Sequence, residues 1–243
     1  MVEQDVMVPT RHGLMPSFAV WPDKGGPFPA VILFMDAPGI REELRNLARR
    51  IARAGYACIL PDMYYRLGTV RFDIPRRNDG MSGAIRACMH SLTNEMVVED
   101  TYGILAWLDA QEAVKPGKVG CVGYCMSGQY VTTLSARLPH RFASAVSLYG
   151  VGIVTDKPDS PHLLVEKIRG EMYYAFAETD GSVPAHVIPT LREALRKAGT
   201  RHELEICPGT THGFQFPSRA DYHAEESEKV WTKMFALWER TLR

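Results

Sequence analysis

Residues 120–128 read "GCVGYCMSG", and Cys125 in this stretch has small residues two positions before it and two after, Gly123 and Ser127. A nucleophile elbow, in which a strand turns sharply into a helix, needs that spacing because larger side chains would collide across the turn. Ser127 fails the same test, since Gln129 follows it at the second position. An elbow also sets its nucleophile at a helix N-terminus, where the dipole favours thiolate over thiol. Cys58, Cys88, Cys121 and Cys207 lack this context and read as inert core residues. Downstream, Asp180 stands in "TDGSVP" and His212 in "PGTTHGF". Of the eight histidines only His212 lies in a loop after the last predicted strand, His223 falling in the closing helix, and this gives the chain order nucleophile, acid, base. Acyl transfer also needs oxyanion donors: the Met126 amide directly after the nucleophile, and the Ala37 amide in "DAPGI", because Pro38 has none to offer. Asp36, beside it, is either a plain loop carboxylate or a group that approaches the thiol and influences its ionisation.

The elements that must position these residues follow from periodicity. "PAVILFM" (29–35) and "YACILP" (56–61) are short apolar runs of the kind buried on both faces of a sheet. Between them, residues 41–55 set Leu44, Leu47, Ala48 and Ile51 on one helical stripe, with Arg41, Arg45, Arg49, Arg50 and Arg53 on what reads as a solvated face. Further strands are expected at 118–123, 142–150, 171–178 and 202–208, and helices at 95–112, 127–138, 184–199 and 221–242. Strands alternating with helices make βαβ units: an α/β fold with a mostly parallel central sheet and helices on both faces. Residues 62–94 have weak periodicity and read as a cap or loop region over the active site of a single domain spanning 1–243. Tyr64, Tyr65, Phe72, Phe214 and Phe216 are candidate walls of an apolar pocket, with Arg76 among five cap arginines available to an anionic substrate.

The composition narrows the function. Lys+Arg and Asp+Glu balance at 28 each, which favours neither nucleic acid nor an anionic membrane. The longest apolar run is too short to span a bilayer. Five scattered cysteines without CxxC spacing point to free thiols and a cytoplasmic setting. No nucleotide or metal motif occurs, so no cofactor is implied, and the expected state is a monomer or small homo-oligomer.

"GYCMSG", "PDMYYRLG" (61–68), "YGVGI" (149–153) and "THGF" (211–214) together resemble the dienelactone hydrolase family of the α/β-hydrolase fold, over roughly Val31 to the C-terminus. The resemblance implies Cys125 as nucleophile, His212 as base and Asp180 as its orienting acid, with donors at Met126 and Ala37. It also implies a glutamate near the resting thiol, where this chain has Asp36. An arginine is implied four residues after the histidine, where the chain has Phe216 and the nearest arginine is Arg219. The expected activity is hydrolysis of a small ester or lactone through a thioester. Two other readings are a hydrolase fold turned small-molecule binder and a redox protein using Cys125.

Overall fold

The computed structural model describes residues 1–243, as an α/β protein with eight strands that are mostly parallel. It divides into two compact units, Met1–Gly117 and Lys118–Arg243.

In the first unit the strand order is β1 (Val2–Thr10), β2 (Gly13–Trp21), β4 (Ala57–Pro61), β3 (Ala30–Phe34). β1 and β2 form an antiparallel hairpin from Val2 opposite Trp21 to Thr10 opposite Gly13. Its turn is fixed by the Thr10 hydroxyl, which donates to the Gly13 carbonyl at 2.9 Å and accepts the His12 amide at 3.1 Å. β3 and β4 are parallel and wholly buried, and the helix between them, α1 (Glu42–Arg53), buries Leu44, Leu47, Ala48, Ile51 and Ala52. A parallel pair needs such a crossover, and the apolar stripe is what holds it down.

The opposite face of α1 is not simply solvated. Arg45 pairs with Asp5 at 2.6 Å and Arg49 with Glu3 at 2.8 Å, and both guanidiniums lie over the Phe18 ring, at 4.6 and 5.3 Å. The hairpin supplies those partners. Residues 62–94 hold two short 3-10 turns, Tyr65–Leu67 and Ile74–Arg76, and a twelve-residue helix, α2 (Asp79–His90), capped by Asn78 accepting from the Met81 amide. Only Ile85 of α2 is buried, which is why its periodicity is faint in the sequence. α3 (Asn94–Asp109) closes the unit by meeting β1 so tightly that a Cβ at Gly103 would lie 2.4 Å from the Pro9 carbonyl oxygen. Asp100 on α3 takes a bidentate bond from Arg66, at 2.7 and 2.9 Å, and a third from the Tyr65 hydroxyl at 2.7 Å.

In the second unit four parallel strands lie side by side in chain order: β5 (Val119–Tyr124), β6 (Phe142–Leu148), β7 (Glu171–Thr179) and β8 (His202–Thr211). β5 and β6 are buried at every residue, as strands covered on both faces must be. Helices α4 (Ser127–Arg137) and α5 (Val187–Ala198) and a 3-10 segment at Pro161–Lys167 run between the strands, and α6 (Ala224–Leu242) closes the chain. α6 seats Trp238 and Leu242 against β5 where Gly120 has no side chain: a Cβ there would meet Leu242 Cδ1 at 3.0 Å and the Trp238 indole at 3.1 Å. With all four strands pointing one way, the residues just past their C-terminal ends gather along one edge of the unit. Those residues are Cys125, Tyr149, Asp180 and His212. No helix of the chain is long and apolar enough to cross a membrane.

Candidate active site

Cys125 follows β5 directly and has φ of 52°, left-handed backbone that a non-glycine residue adopts only when its surroundings enforce it. The enforcement is visible in the hydrogen bonds. The Cys125 amide donates to the Leu148 carbonyl at 3.0 Å, and its own carbonyl accepts from Gly128 at 3.1 Å and Val151 at 3.0 Å. The small flanking residues are required for the reason the spacing suggests: a Cβ at Gly123 would fall 2.5 Å from the Ser127 carbonyl oxygen. Gly128 meets a neighbour just as closely, since a Cβ there would lie 2.3 Å from the Gly150 Cα. The chain then enters α4 at Ser127, so the Met126 amide lies at the start of a helix whose first amides have no intrahelical acceptor. Cys125 is half-buried, whereas Cys58, Cys121 and Cys207 are buried and burial raises their thiol pKa values. Cys88, expected in the core, is half-buried on α2; all five thiols are free.

Asp180 follows β7 and His212 follows β8. Their side chains meet, His212 Nδ1 lying 2.7 Å from Asp180 Oδ2. The carboxylate is almost wholly covered, at 4% exposure, and its other oxygen accepts the Ser182 amide at 2.8 Å. The imidazole, 21% exposed, also lies close enough to the Cys125 side chain to interact with it. Burial by itself would lower the His212 pKa, but the bonds to Asp180 and Cys125 and their negative charge outweigh it and push it up to about 9. The shift favours the charged imidazole, which has a donor for each partner. The loop that carries it turns at Gly213 (φ 91°), against which the Arg219 side chain packs: a Cβ on Gly213 would come 2.2 Å from Arg219 Nη1. Phe214 and Phe216 are fully buried; both rings pack on Tyr149, and Phe216 also on Tyr124, 5.2 Å between centroids. Arg219 lies 5.5 Å over the Phe216 ring.

The remaining candidates lie in the first unit. Asp36 is completely buried and held by Arg41 through two hydrogen bonds, at 2.5 and 3.1 Å, while Arg41 also pairs with Glu43. Arg41, expected on a solvated face, is instead the counter-ion of the loop after β3. The Ala37 carbonyl accepts the buried Tyr64 hydroxyl at 2.8 Å, and the same tyrosine ring covers Gly39. Arg76 is 87% exposed, with Asp73 at 3.5 Å. The second unit thus brings Cys125, Asp180 and His212 together, the last two joined by a hydrogen bond, with Met126 adjoining the first.

Four parallel strands flanked by helices, with a strained cysteine at the turn into a helix, define a protein of the α/β-hydrolase fold. Residues 15–242 match the model of the dienelactone hydrolase family. The chain belongs to the dienelactone hydrolase family and is a hydrolase. It is 29% identical over 241 residues to a Synechocystis protein named "Putative carboxymethylenebutenolidase", with 98% of this chain and 96% of that one covered. A crystal structure from Klebsiella pneumoniae, titled "Putative Dienelactone Hydrolase", superposes with a TM-score of 0.88 at 25% identity over 98% of both chains. The dienelactone hydrolase of Anabaena variabilis shares the fold, with a TM-score of 0.72 at 17% identity over 100% of this chain and 99% of that one.

Proposed function

We propose that the enzyme hydrolyses small esters or lactones through a thioester on Cys125, with His212 as acid and base and Asp180 as the group that orients it. The observation that carries the proposal is the arrangement Asp180–His212–Cys125, in which the imidazole is bonded to Asp180 and lies beside the thiol, and the cysteine is held in a strained turn at a helix start. The thiolate attacks the carbonyl carbon, and the Met126 amide receives the developing oxyanion. As the tetrahedral adduct collapses, the C–O bond breaks and His212 gives its proton to the leaving oxygen. What remains is a thioester and a neutral imidazole.

The electrostatics favour the second half of the cycle. The charge and the hydrogen bond of Cys125 are among the causes that raise the His212 pKa. Acylation removes both, so the histidine becomes easier to deprotonate just when a base is needed. Neutral His212 then takes a proton from water, whose oxygen attacks the thioester; the acid leaves and the thiolate–imidazolium pair is restored. The names of the relatives point to a carboxymethylenebutenolide, an unsaturated lactone with a carboxylate. Although Phe216 stands where the family arginine is expected, Arg219 keeps a cation in the same loop, which supports an anionic substrate.

Mass spectrometry of the intact protein during turnover of an activated acetate ester tests the chemistry. One acetyl group is expected on the wild type, mapped to Cys125 and missing from Cys125→Ala. Equal labelling of both proteins, or turnover by the alanine variant, would remove the nucleophile assignment.

A further inference from the structure

Three of the four strand ends in the second unit carry the residues of the proposed mechanism; the fourth carries Tyr149, directly after β6. Cys125 and Tyr149 are the two non-glycine residues of the chain with positive φ, at 52° and 37°. A bulky side chain tolerates such backbone only where its surroundings over-determine it, and strain of this kind gathers at functional sites. At Tyr149 the surroundings do so from three sides. Its amide donates to the Ala175 carbonyl of β7 at 2.7 Å. The next residue, Gly150, is pressed so closely on the start of α4 that a Cβ there would lie 2.8 Å from the Gly128 Cα and 2.3 Å from Ser147 Oγ. The side chain, fully buried, is backed by Phe214, Phe216 and Tyr124, at 5.6, 6.4 and 6.1 Å between ring centroids. Held in this way, the ring meets the His212 imidazole edge to face, with centroids 5.0 Å apart and planes at 65°.

The bond to Asp180 fixes one atom of the imidazole but leaves the ring able to pivot about it. We infer that Tyr149 is the positioning residue for His212: its ring sets the plane of the imidazole, so that the nitrogen not bonded to Asp180 stays aimed at Cys125. This rests on the assignment of His212 as the base. The ionisable groups around the histidine are Cys125 on the elbow, Asp180 after β7, and Arg219 and Asp221 on its own loop, the last bonded to the Thr211 hydroxyl. Tyr149 acts among them by shape, and its loss should loosen the bonds that keep His212 charged.

The test compares Tyr149→Phe, Tyr149→Leu and Tyr149→Asn, the last because asparagine tolerates positive φ and so deletes the ring without adding backbone strain. Kinetics with an activated ester are combined with NMR titration of 13C-labelled histidine, the His212 resonance being assigned by its absence in His212→Gln. Tyr149→Phe is expected to stay within about twofold of wild type, since the ring remains. The Leu and Asn variants should lose kcat by on the order of tenfold or more with little change in KM, as misaimed groups do. The titration midpoint of His212 should move down from about 9. Leu and Asn variants that are folded, with kcat and midpoint unchanged, would overturn the inference even if their melting temperature fell. A Phe variant as impaired as the Leu variant would overturn it too, by transferring the effect to the hydroxyl. Turnover by Cys125→Ala would instead defeat the mechanism, while the titration of the Tyr149 variants would still report on the ring contact.

Discussion

Asp180→Asn is expected to lower kcat/KM by roughly 10²- to 10⁴-fold, the range that follows when an orienting carboxylate becomes an amide. The fold should survive, because the amide oxygen can still accept the Ser182 amide. What fails is the proton inventory. An asparagine amide turned toward Nδ1 offers a hydrogen where the imidazole also carries one, so the histidine either rotates or adopts the tautomer that presents no acceptor to the attacking water's proton. The pH dependence gives an independent readout. His212 is raised from 6.5 to about 9, partly by Asp180, so the charged imidazole and any stability it adds are fully present below pH 6.5 and are lost as pH rises through about 9. In Asp180→Asn one of the raising causes is gone, and the alkaline limb of the acylation rate should start at lower pH. The gap in melting temperature between the two proteins should be widest in mild acid and shrink toward pH 9. An asparagine variant with the wild-type rate and an unmoved alkaline limb would show that Asp180 does not govern the histidine.

The sequence was most informative where a single physical constraint dominates. β3, β4, β5 and β6 are buried on every residue; β3 and β4 appear as apolar runs, and β5 and β6 as apolar runs interrupted only by small Gly and Ser. The elbow was legible because a positive φ at Cys125 leaves no room for side chains at Gly123 and little at Ser127, and that steric demand is written directly in the residue types. Asp180 and His212 were found by position, each just beyond the C-terminal end of a predicted strand.

The elements that were missed have two-sided environments. β1 and β2 carry Pro9 and Pro16, and β1 is largely exposed, so neither shows a clean alternation. Missing the hairpin also misplaced the arginines of α1. Nothing in a helix reveals that Arg45 and Arg49 lie over Phe18 and pair with Asp5 and Glu3, because those partners belong to strands not recognised as strands. α2 was hidden for another reason: with Ile85 alone buried it has almost no stripe to detect. Tyr149 stood inside the strand expected over 142–150 and so was not at a strand end in the sequence; β6 stops at Leu148, which leaves the tyrosine just beyond it. A tyrosine before glycine there looks like packing until its φ and its contact with His212 are known.

Gly128→Ala is expected to destabilise the protein by about 1–3 kcal/mol, the usual cost of overpacking, which lowers the melting temperature by roughly 3–10 °C in a chain of this size. The added methyl would sit 2.3 Å from the Gly150 Cα and 2.6 Å from Ser147 Oγ, and the first of these is backbone with no rotamer to change. Either α4 lifts away from the loop after β6 or that loop retreats. Both movements reach the chemistry, because the Gly128 amide holds the Cys125 carbonyl and Gly150 follows the tyrosine that meets His212. Activity should therefore fall by more than the folded fraction does, even well below the melting temperature. Gly181→Ala is the matched control: it lies next to Asp180, but a Cβ there meets nothing within 4 Å, so it should leave rate and stability close to wild type. If Gly128→Ala melted at the wild-type temperature, the close approach between α4 and the β6 loop would be absent in solution. If it melted earlier yet kept full turnover per folded molecule, the elbow would tolerate displacement, and strain at Cys125 and Tyr149 could not be what aligns the site. Loss of both together, with Gly181→Ala unaffected, would show that stability and alignment are set by the same contact between two glycines.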